Sequence, residues 1–192
     1  MLTHTLMRAR ACDKGFTLIE LLVALAVLAL FLGLGVPSFA NVLAKYKATD
    51  HAQNLFIGLQ YARAEAVKRG HTVTICGSND AHTCSKIWRG QLLVFDDQNN
   101  DSQADPSEII RIENFHLNND YLISSLARGV TFVKFKADGQ AETAGSLIYC
   151  RPDNLENSKM VTFQTMGRAY FAPLTIKNGR LLNRYQNDLN CE

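Results

Sequence analysis

From Leu21 to Val36 the chain runs through 16 positions without a charge, occupied almost entirely by Leu, Val, Ala, Gly and Phe. Such a run has no polar face to turn toward water, and a membrane segment is its natural reading. Two other readings share the apolar core. A cleaved secretory signal would place small residues just after it, and Pro37, Ser38, Phe39 and Ala40 include some. A plain single-span anchor accounts for the length of the run but gives no reason for the residues before it.

Those residues are Gly15-Phe16-Thr17-Leu18-Ile19-Glu20, preceded by a polar leader that carries Arg8, Arg10 and Lys14. The stretch resembles the type III signal of type IV pilins and of type II secretion pseudopilins. The resemblance implies that a prepilin peptidase cuts after Gly15 and methylates the new N-terminus at Phe16. It also implies a bacterial inner-membrane protein with a single span and a periplasmic head, built into a pilus or pseudopilus. Its partners would be other minor and major pilins and the inner-membrane assembly platform.

Glu20 stands out on physical grounds alone. A carboxylate in hydrocarbon costs about 2.5–3.5 kcal/mol or more unless it is paired, so it asks for a cation, and the free amine of a processed Phe16 supplies one. An interfacial carboxylate sitting among headgroups is the plainer alternative. By the pilin resemblance, Glu20 would guide the incoming subunit onto the filament base.

Loss of residues 1–15 removes Arg8, Arg10 and Lys14 against Asp13, so 20 basic and 18 acidic residues become 17 and 17. With no net charge left, polyanion binding would have to come from local clustering. Cys12 leaves with the leader, and Cys76, Cys84, Cys150 and Cys191 remain. An even count points to two disulfides in an oxidising compartment such as the periplasm. Of the three pairings, sequence order favours Cys76 with Cys84 and Cys150 with Cys191, because each pair then closes a separate segment. A structural zinc site is the rival, but no Cys-x-x-Cys pair is present and the five histidines are scattered.

From Phe16 to Arg69 the spacing is helical with one proline, Pro37. Up to Ala40 the segment is apolar all round. Beyond it Val42, Leu43, Tyr46, Ala52, Leu55, Phe56, Leu59, Ala62, Ala66 and Val67 recur at steps of three and four, with charges largely between them. A continuous helix of this span would measure about 81 Å, more than twice a hydrocarbon core, so it must leave the membrane. Gly70 after Lys68 and Arg69 is the expected stop. Pro37, with Gly33 and Gly35 before it, weakens the ladder and predicts a kink, and the pilin resemblance implies that the helix melts near this proline on assembly.

After Gly70 come short runs of β-branched and aromatic residues separated by turn formers. Strands are expected at 71–76, 91–95, 109–115, 130–136, 146–150, 159–164, 169–171 and 174–177, with hairpin turns at Asp138-Gly139 and Asn178-Gly179. The expected organisation is a leader (1–15), a transmembrane half-helix (16–40), an amphipathic half-helix (41–70) and a β-rich periplasmic head (71–192). The fold class is α+β, a long N-terminal pilin helix packed on an antiparallel sheet head.

A second resemblance lies in the head. Tyr61-Ala62-Arg63-Ala64-Glu65-Ala66-Val67-Lys68-Arg69-Gly70, Trp88-Arg89-Gly90, Leu93-Val94-Phe95-Asp96 and Glu108-Ile109-Ile110-Arg111 resemble the GspH/FimT family of minor pilins and pseudopilins. That implies a minor component at low copy, usually near the filament tip. A role in assembly or initiation of a type IV pilus leads, and a minor pseudopilin of type II secretion is the alternative.

Two local features remain. Asp97, Asn99, Asp101, Gln103, Asp105 and Glu108 occupy positions 1, 3, 5, 7, 9 and 12 of an EF-hand-like calcium loop, but Ser102 replaces the glycine of the sixth position and Pro106 follows. A solvated acidic turn between strands is the favoured reading, with calcium the alternative and no other cofactor expected. Some FimT-like proteins take up DNA through a Gly-Arg-x-Arg motif, where this chain reads Gly167-Arg168-Ala169-Tyr170. Lys159, Arg168, Lys177, Arg180 and Arg184 fall in a stretch without an acid, whereas Asp96–Asp120 holds seven acids and one arginine. Arg168, Lys177, Arg180 and Arg184 are therefore candidates for DNA contact, and a docking surface for an acidic neighbour is the preferred alternative. No nucleophile elbow, metal-ligand cluster or phosphate-cradling loop points to an enzyme.

Overall fold

The computed structural model describes residues 15–99, 101–182, 188, 189 and 191, with the side chains of 34–38 left outside the description. Helix α1 is assigned from Leu18 to Arg69. It starts where Thr17 Oγ1 accepts the Glu20 backbone N–H at 3.3 Å. Thr17 and Glu20 thus stand as the first and last residues of a Thr-x-x-Glu cap. At the other end the Gly70 N–H donates to the Ala66 carbonyl at 3.0 Å and Gly70 takes φ +75°, a left-handed stop that a side chain would strain.

Two compact units meet between Val42 and Leu43. In the first, every described side chain from 15 to 33 is exposed. Among the described residues, no helix is long and apolar enough to cross a membrane. The charge-free run of the sequence continues into 34–38, where only the helical backbone is described.

In the second unit, Ala48, Ala52, Leu55, Leu59, Ala62 and Ala66 form a fully buried stripe at alternating steps of four and three. Four of the six are alanines, which lets the backbone lie close to the sheets. Gly58 is one point of close approach, since a Cβ there would come within 2.5 Å of Leu92 Cδ2.

The strands are β1 Val73–Ser78, β2 Ile87–Trp88, β3 Gln91–Phe95, β4 Ile109–Asn114, β5 Tyr121–Leu126, β6 Phe132–Phe135, β7 Gly145–Cys150, β8 Lys159–Phe163, β9 Ala169–Ala172, β10 Thr175–Lys177 and β11 Arg180–Leu182. They form an antiparallel sheet β4-β3-β1-β6, a second antiparallel sheet β2-β5-β7-β8-β9, and a β10-β11 hairpin. The helix stripe, Val73 and Ile75 of β1, Leu92 and Val94 of β3, Leu147 and Tyr149 of β7, and Val161 and Phe163 of β8 make one core.

Each sheet also has a smaller cluster with a disulfide in it. Cys76, Leu93, Phe95 and Ala104 pack together, and Cys76–Cys84 (Cα atoms 5.5 Å apart) ties the following loop there. Ile123, Ile148, Cys150, Met160, Leu181 and Leu189 form the other, where Cys150–Cys191 (5.8 Å) fastens the C-terminal segment. The second cluster explains why a three-residue hairpin strand is worth having: Leu181 of β11 is 2% exposed.

Three strands, β2, β5 and β11, have no counterpart in the sequence reading. β5 escapes because Ser124 and Ser125 interrupt its apolar run, yet Ser124 is 2% exposed and paired across β7. Both expected turns are present, and Asn178 (φ 53°) and Gly179 (φ 71°) carry the two positive φ angles of a type I′ turn.

Candidate functional site

At the N-terminal end Gly15 is unencumbered, with no atom within 4 Å of a Cβ built on it, and Phe16 is 80% exposed. Glu20 lies in the first turn of α1, exposed, and forms no ion pair among the described residues. Its backbone N–H is held by the Thr17 hydroxyl, which fixes the first turn from which the side chain leaves. Sequence reasoning missed the cap although Thr17 and Glu20 have the required spacing. Pro37 lies on the helical backbone with its side chain outside the described residues, as are Arg8, Arg10, Cys12 and Lys14 altogether.

The end of α1 is tied to the head by charge. Arg69 Nε donates to Glu65 Oε2 at 2.8 Å, Arg69 Nη1 lies 3.5 Å from Asp96 Oδ2, and His71 Nδ1 lies 3.0 Å from Asp96 Oδ1. The Arg69 hydrogen bond, opposed by desolvation and aided by Lys68, holds the Glu65 carboxyl below its ordinary value. The same pair raises Arg69.

Asp96 opens the acidic loop. Its neighbour Asp97 is buried and its Oδ2 meets Lys134 Nζ of β6 at 2.8 Å. Ser102 takes φ +62° and donates its N–H to the Asp97 carboxylate at 3.2 Å, so it adopts the turn that calcium loops give to glycine. Asn99 Nδ2 donates to Asp101 Oδ2 (3.1 Å) and Asp105 Oδ2 (3.3 Å), while Glu108 Oε1 accepts from the Gln98 N–H (3.0 Å). The carboxylate in the first ligand position is thus already matched by an internal ammonium. Among the described residues, no group of three or more His, Cys, Asp or Glu side chains is arranged to hold a metal ion.

The basic candidates do not share one element. Lys177 and Arg180 face each other across the type I′ turn of the β10-β11 hairpin, and Arg180 Nη1 pairs with Asp188 at 3.2 Å. Arg168 sits instead on the turn between β8 and β9, and Arg184 lies outside the described residues. Gly167, before Arg168, has φ +77°, and a Cβ there would overlap the Gly139 carbonyl and approach Arg63 Nε to 2.7 Å. Arg63 Nε in turn donates to the Gly139 carbonyl at 2.9 Å. The helix, the Asp138-Gly139 turn and the β8–β9 turn meet there, which gives this glycine a packing reason.

A surface hollow of about 470 Å³ lies between Asn79, Asp80, Gln91, Asn114 and His116. Its amides are already engaged: Asn79 Nδ2 donates to the Ile87 carbonyl (3.2 Å) and Gln91 Nε2 to Asn114 Oδ1 (3.0 Å). Hydrogen bonds led by those from Thr83 hold the Asp80 carboxyl far below the usual carboxylate range. In the core, Tyr149 donates to Asp120, and burial with that bond pushes its hydroxyl up. The His51 ring stacks on Tyr149 at 5.0 Å, and desolvation lowers it.

The family described as type II transport protein GspH matches residues 51–167, more than half of the chain. The chain belongs to the GspH family. The prokaryotic N-terminal methylation motif matches residues 10–36, a span that contains Gly15, Phe16 and Glu20. Two crystal structures of the Pseudomonas aeruginosa type IV minor pilin FimU have a similar fold. One is 19% identical with a TM-score of 0.51, over 65% of this chain and 92% of that one. The other is 20% identical with a TM-score of 0.53, over 67% and 90%. A comparison with curated protein sequences finds no match.

The protein is therefore type IV pilin-like, a minor pilin or pseudopilin by family, with the long helix and antiparallel sheets of that fold. The GspH family is one of structural pilins, and membership with the methylation motif implies contact with other pilin-like subunits and a prepilin peptidase.

Proposed function

We propose that the protein is a minor pilin of a type IV pilus that acts in assembly or initiation at the filament tip and has no enzymatic activity. A prepilin peptidase cuts after Gly15 and methylates Phe16, residues 16–40 anchor the chain in the inner membrane as a single span, and residues 41–192 stand in the periplasm. Glu20 then pairs with a processed N-terminal amine during docking onto the assembly platform. One observation carries this reading: the methylation motif at 10–36 runs along the same helix that enters the GspH head at 51–167. The second reading, a minor pseudopilin of type II secretion, is favoured by the description of the family itself.

DNA contact is the weaker role for the head. Arg180 is paired with Asp188, Tyr170 stands where the DNA-uptake motif has its second arginine, and Lys177 lies on β10 while Arg168 lies on the turn before β9. The test of the main reading is Gly15→Leu, because the peptidase needs a small residue before the cut. Mass spectrometry of the membrane fraction is expected to show full-length precursor in the variant and a mature chain beginning at Phe16 in the wild type. A wild-type cut near Ala40, or normal processing of the variant, would refute it.

A further inference from the structure

The open strand edges of the head are not alike. Sheets protect exposed edges with charge, proline, short length, bulges or a covering segment, because an unguarded row of N–H and C=O groups pairs with another chain. β4 carries the Arg111–Glu113 ion pair (2.8 Å) and an irregular register opposite Val94 and Phe95. β6 is covered by residues 140–142, whose Ala141 bridges Phe135 and whose Glu142 N–H donates to the Lys134 carbonyl at 2.9 Å. β2 is only two residues long. β9, Ala169-Tyr170-Phe171-Ala172, has no charge, no proline and no bulge against β8, and among the described residues nothing pairs with its outer side.

The register says which groups are free. The Gln164 N–H donates to the Arg168 carbonyl at 3.1 Å, and antiparallel pairs alternate between bonded and unbonded. Thr162 with Tyr170 and Met160 with Ala172 are then the bonded pairs, so Ala169 and Phe171 turn their N–H and C=O groups outward. Beside that row lies an aromatic ledge: the Phe171 ring stacks on Phe56 of α1 at 5.3 Å and remains 51% exposed. Arg168 adjoins one end of the strand, and Lys159 adjoins Met160, the partner of Ala172, at the other.

We propose that β9 receives an extended, acidic segment of a neighbouring filament subunit, which pairs with the Ala169 and Phe171 backbone and adds a strand to the five-stranded sheet. The proposal rests on the pilin reading and gives its docking surface a geometry. Charge complementarity chooses the occupant, since Arg168 and Lys159 bracket a strand that has no charge of its own. The apolar side of the incoming strand lies on Phe171 and Phe56.

The experiment uses the full-length chain in cells that assemble the filament, with the photoreactive residue p-benzoylphenylalanine at Phe171 and, as control, at Ile112 of β4. Cross-linked peptides are sequenced, and sheared filaments are probed for the chain. The Phe171 probe is expected to capture an Asp- or Glu-bearing extended segment of another filament subunit, and the Ile112 probe is not. With the probe moved to Phe56, Phe171→Leu keeps the backbone donor and leaves capture unchanged. Phe171→Pro removes one outward N–H, a change edge strands tolerate, and lowers capture about three- to tenfold. Arg168→Glu lowers it without touching the strand.

Equal loss in the Leu and Pro variants would overturn strand addition, as would capture of a helix or no capture from a chain present in filaments. Absence of the chain from sheared filaments would instead overturn the pilin reading on which the proposal rests. A gel shift of the detergent-solubilised chain on double-stranded DNA separates the nucleic-acid case. Salt-sensitive binding lost in Arg168→Gln would overturn the proposal, and no shift in low salt supports it.

Discussion

Gly167→Ala separates a packing role for this glycine from a ligand-contacting one. In the structure the residue has φ +77°, which costs an L side chain about 1–2 kcal/mol. The new Cβ also overlaps the Gly139 carbonyl, a backbone atom that cannot rotate away, and approaches Arg63 Nε to 2.7 Å. Overpacking of that kind adds about 1–3 kcal/mol. The sum, about 2–5 kcal/mol, corresponds to a fall in melting temperature of roughly 5–15 °C for a unit of this size. Thermal unfolding of the full chain in detergent, followed by circular dichroism, reads it. Adding Arg63→Ala relieves the side-chain contact only, so the double variant is expected to recover none of the cost set by Gly139 and to lose the Arg63 hydrogen bond as well. A shift below about 1 °C for Gly167→Ala, or full rescue by Arg63→Ala, would refute the packing argument.

Glu65 is held below its ordinary value of 4.5, so its share of stability is fully present above that pH and is lost as pH falls through the lower folded value. Urea midpoints measured downward from pH 5 should decline less steeply in Glu65→Gln than in the wild type, and parallel declines would refute this. Cys191→Ser opens a loop with a sequence separation of 41 and should cost about 4 kcal/mol in the chain-entropy model. An unchanged urea midpoint under oxidising conditions would show that the bridge does not constrain the unfolded chain. Calcium titrated into the full chain is expected to give no heat at millimolar concentration, because Lys134 already matches the buried Asp97. Saturable heat that is lost in Asp101→Asn would refute it.

The long helix, its stop at Gly70, the Asn178-Gly179 turn and the N-terminal methylation motif were legible because each rests on local signals: period, φ preference and the order of residue types. Calcium-loop spacing was legible too, but the sequence could not show that Ser102 would take a left-handed φ or that Lys134, 37 positions after Asp97, would reach its carboxylate. β5 and β2 were hidden because a short strand with polar positions is defined by its neighbours across the sheet, and Ser124 is buried only because β7 and the Lys86 carbonyl bond its backbone.

The amino-acid order by itself determined that an apolar helix leads into a strand-rich head with an even set of cysteines, since those follow from composition and period along the chain. Tertiary structure alone decided that Arg180 is offset by Asp188 and that Gly167 is packed against Gly139 and Arg63. It also decided that, among the described residues, the outer edge of β9 has no partner strand. The physical reason is that charge pairing, close approach and edge exposure depend on residues distant in sequence, and no local pattern encodes which of them will meet.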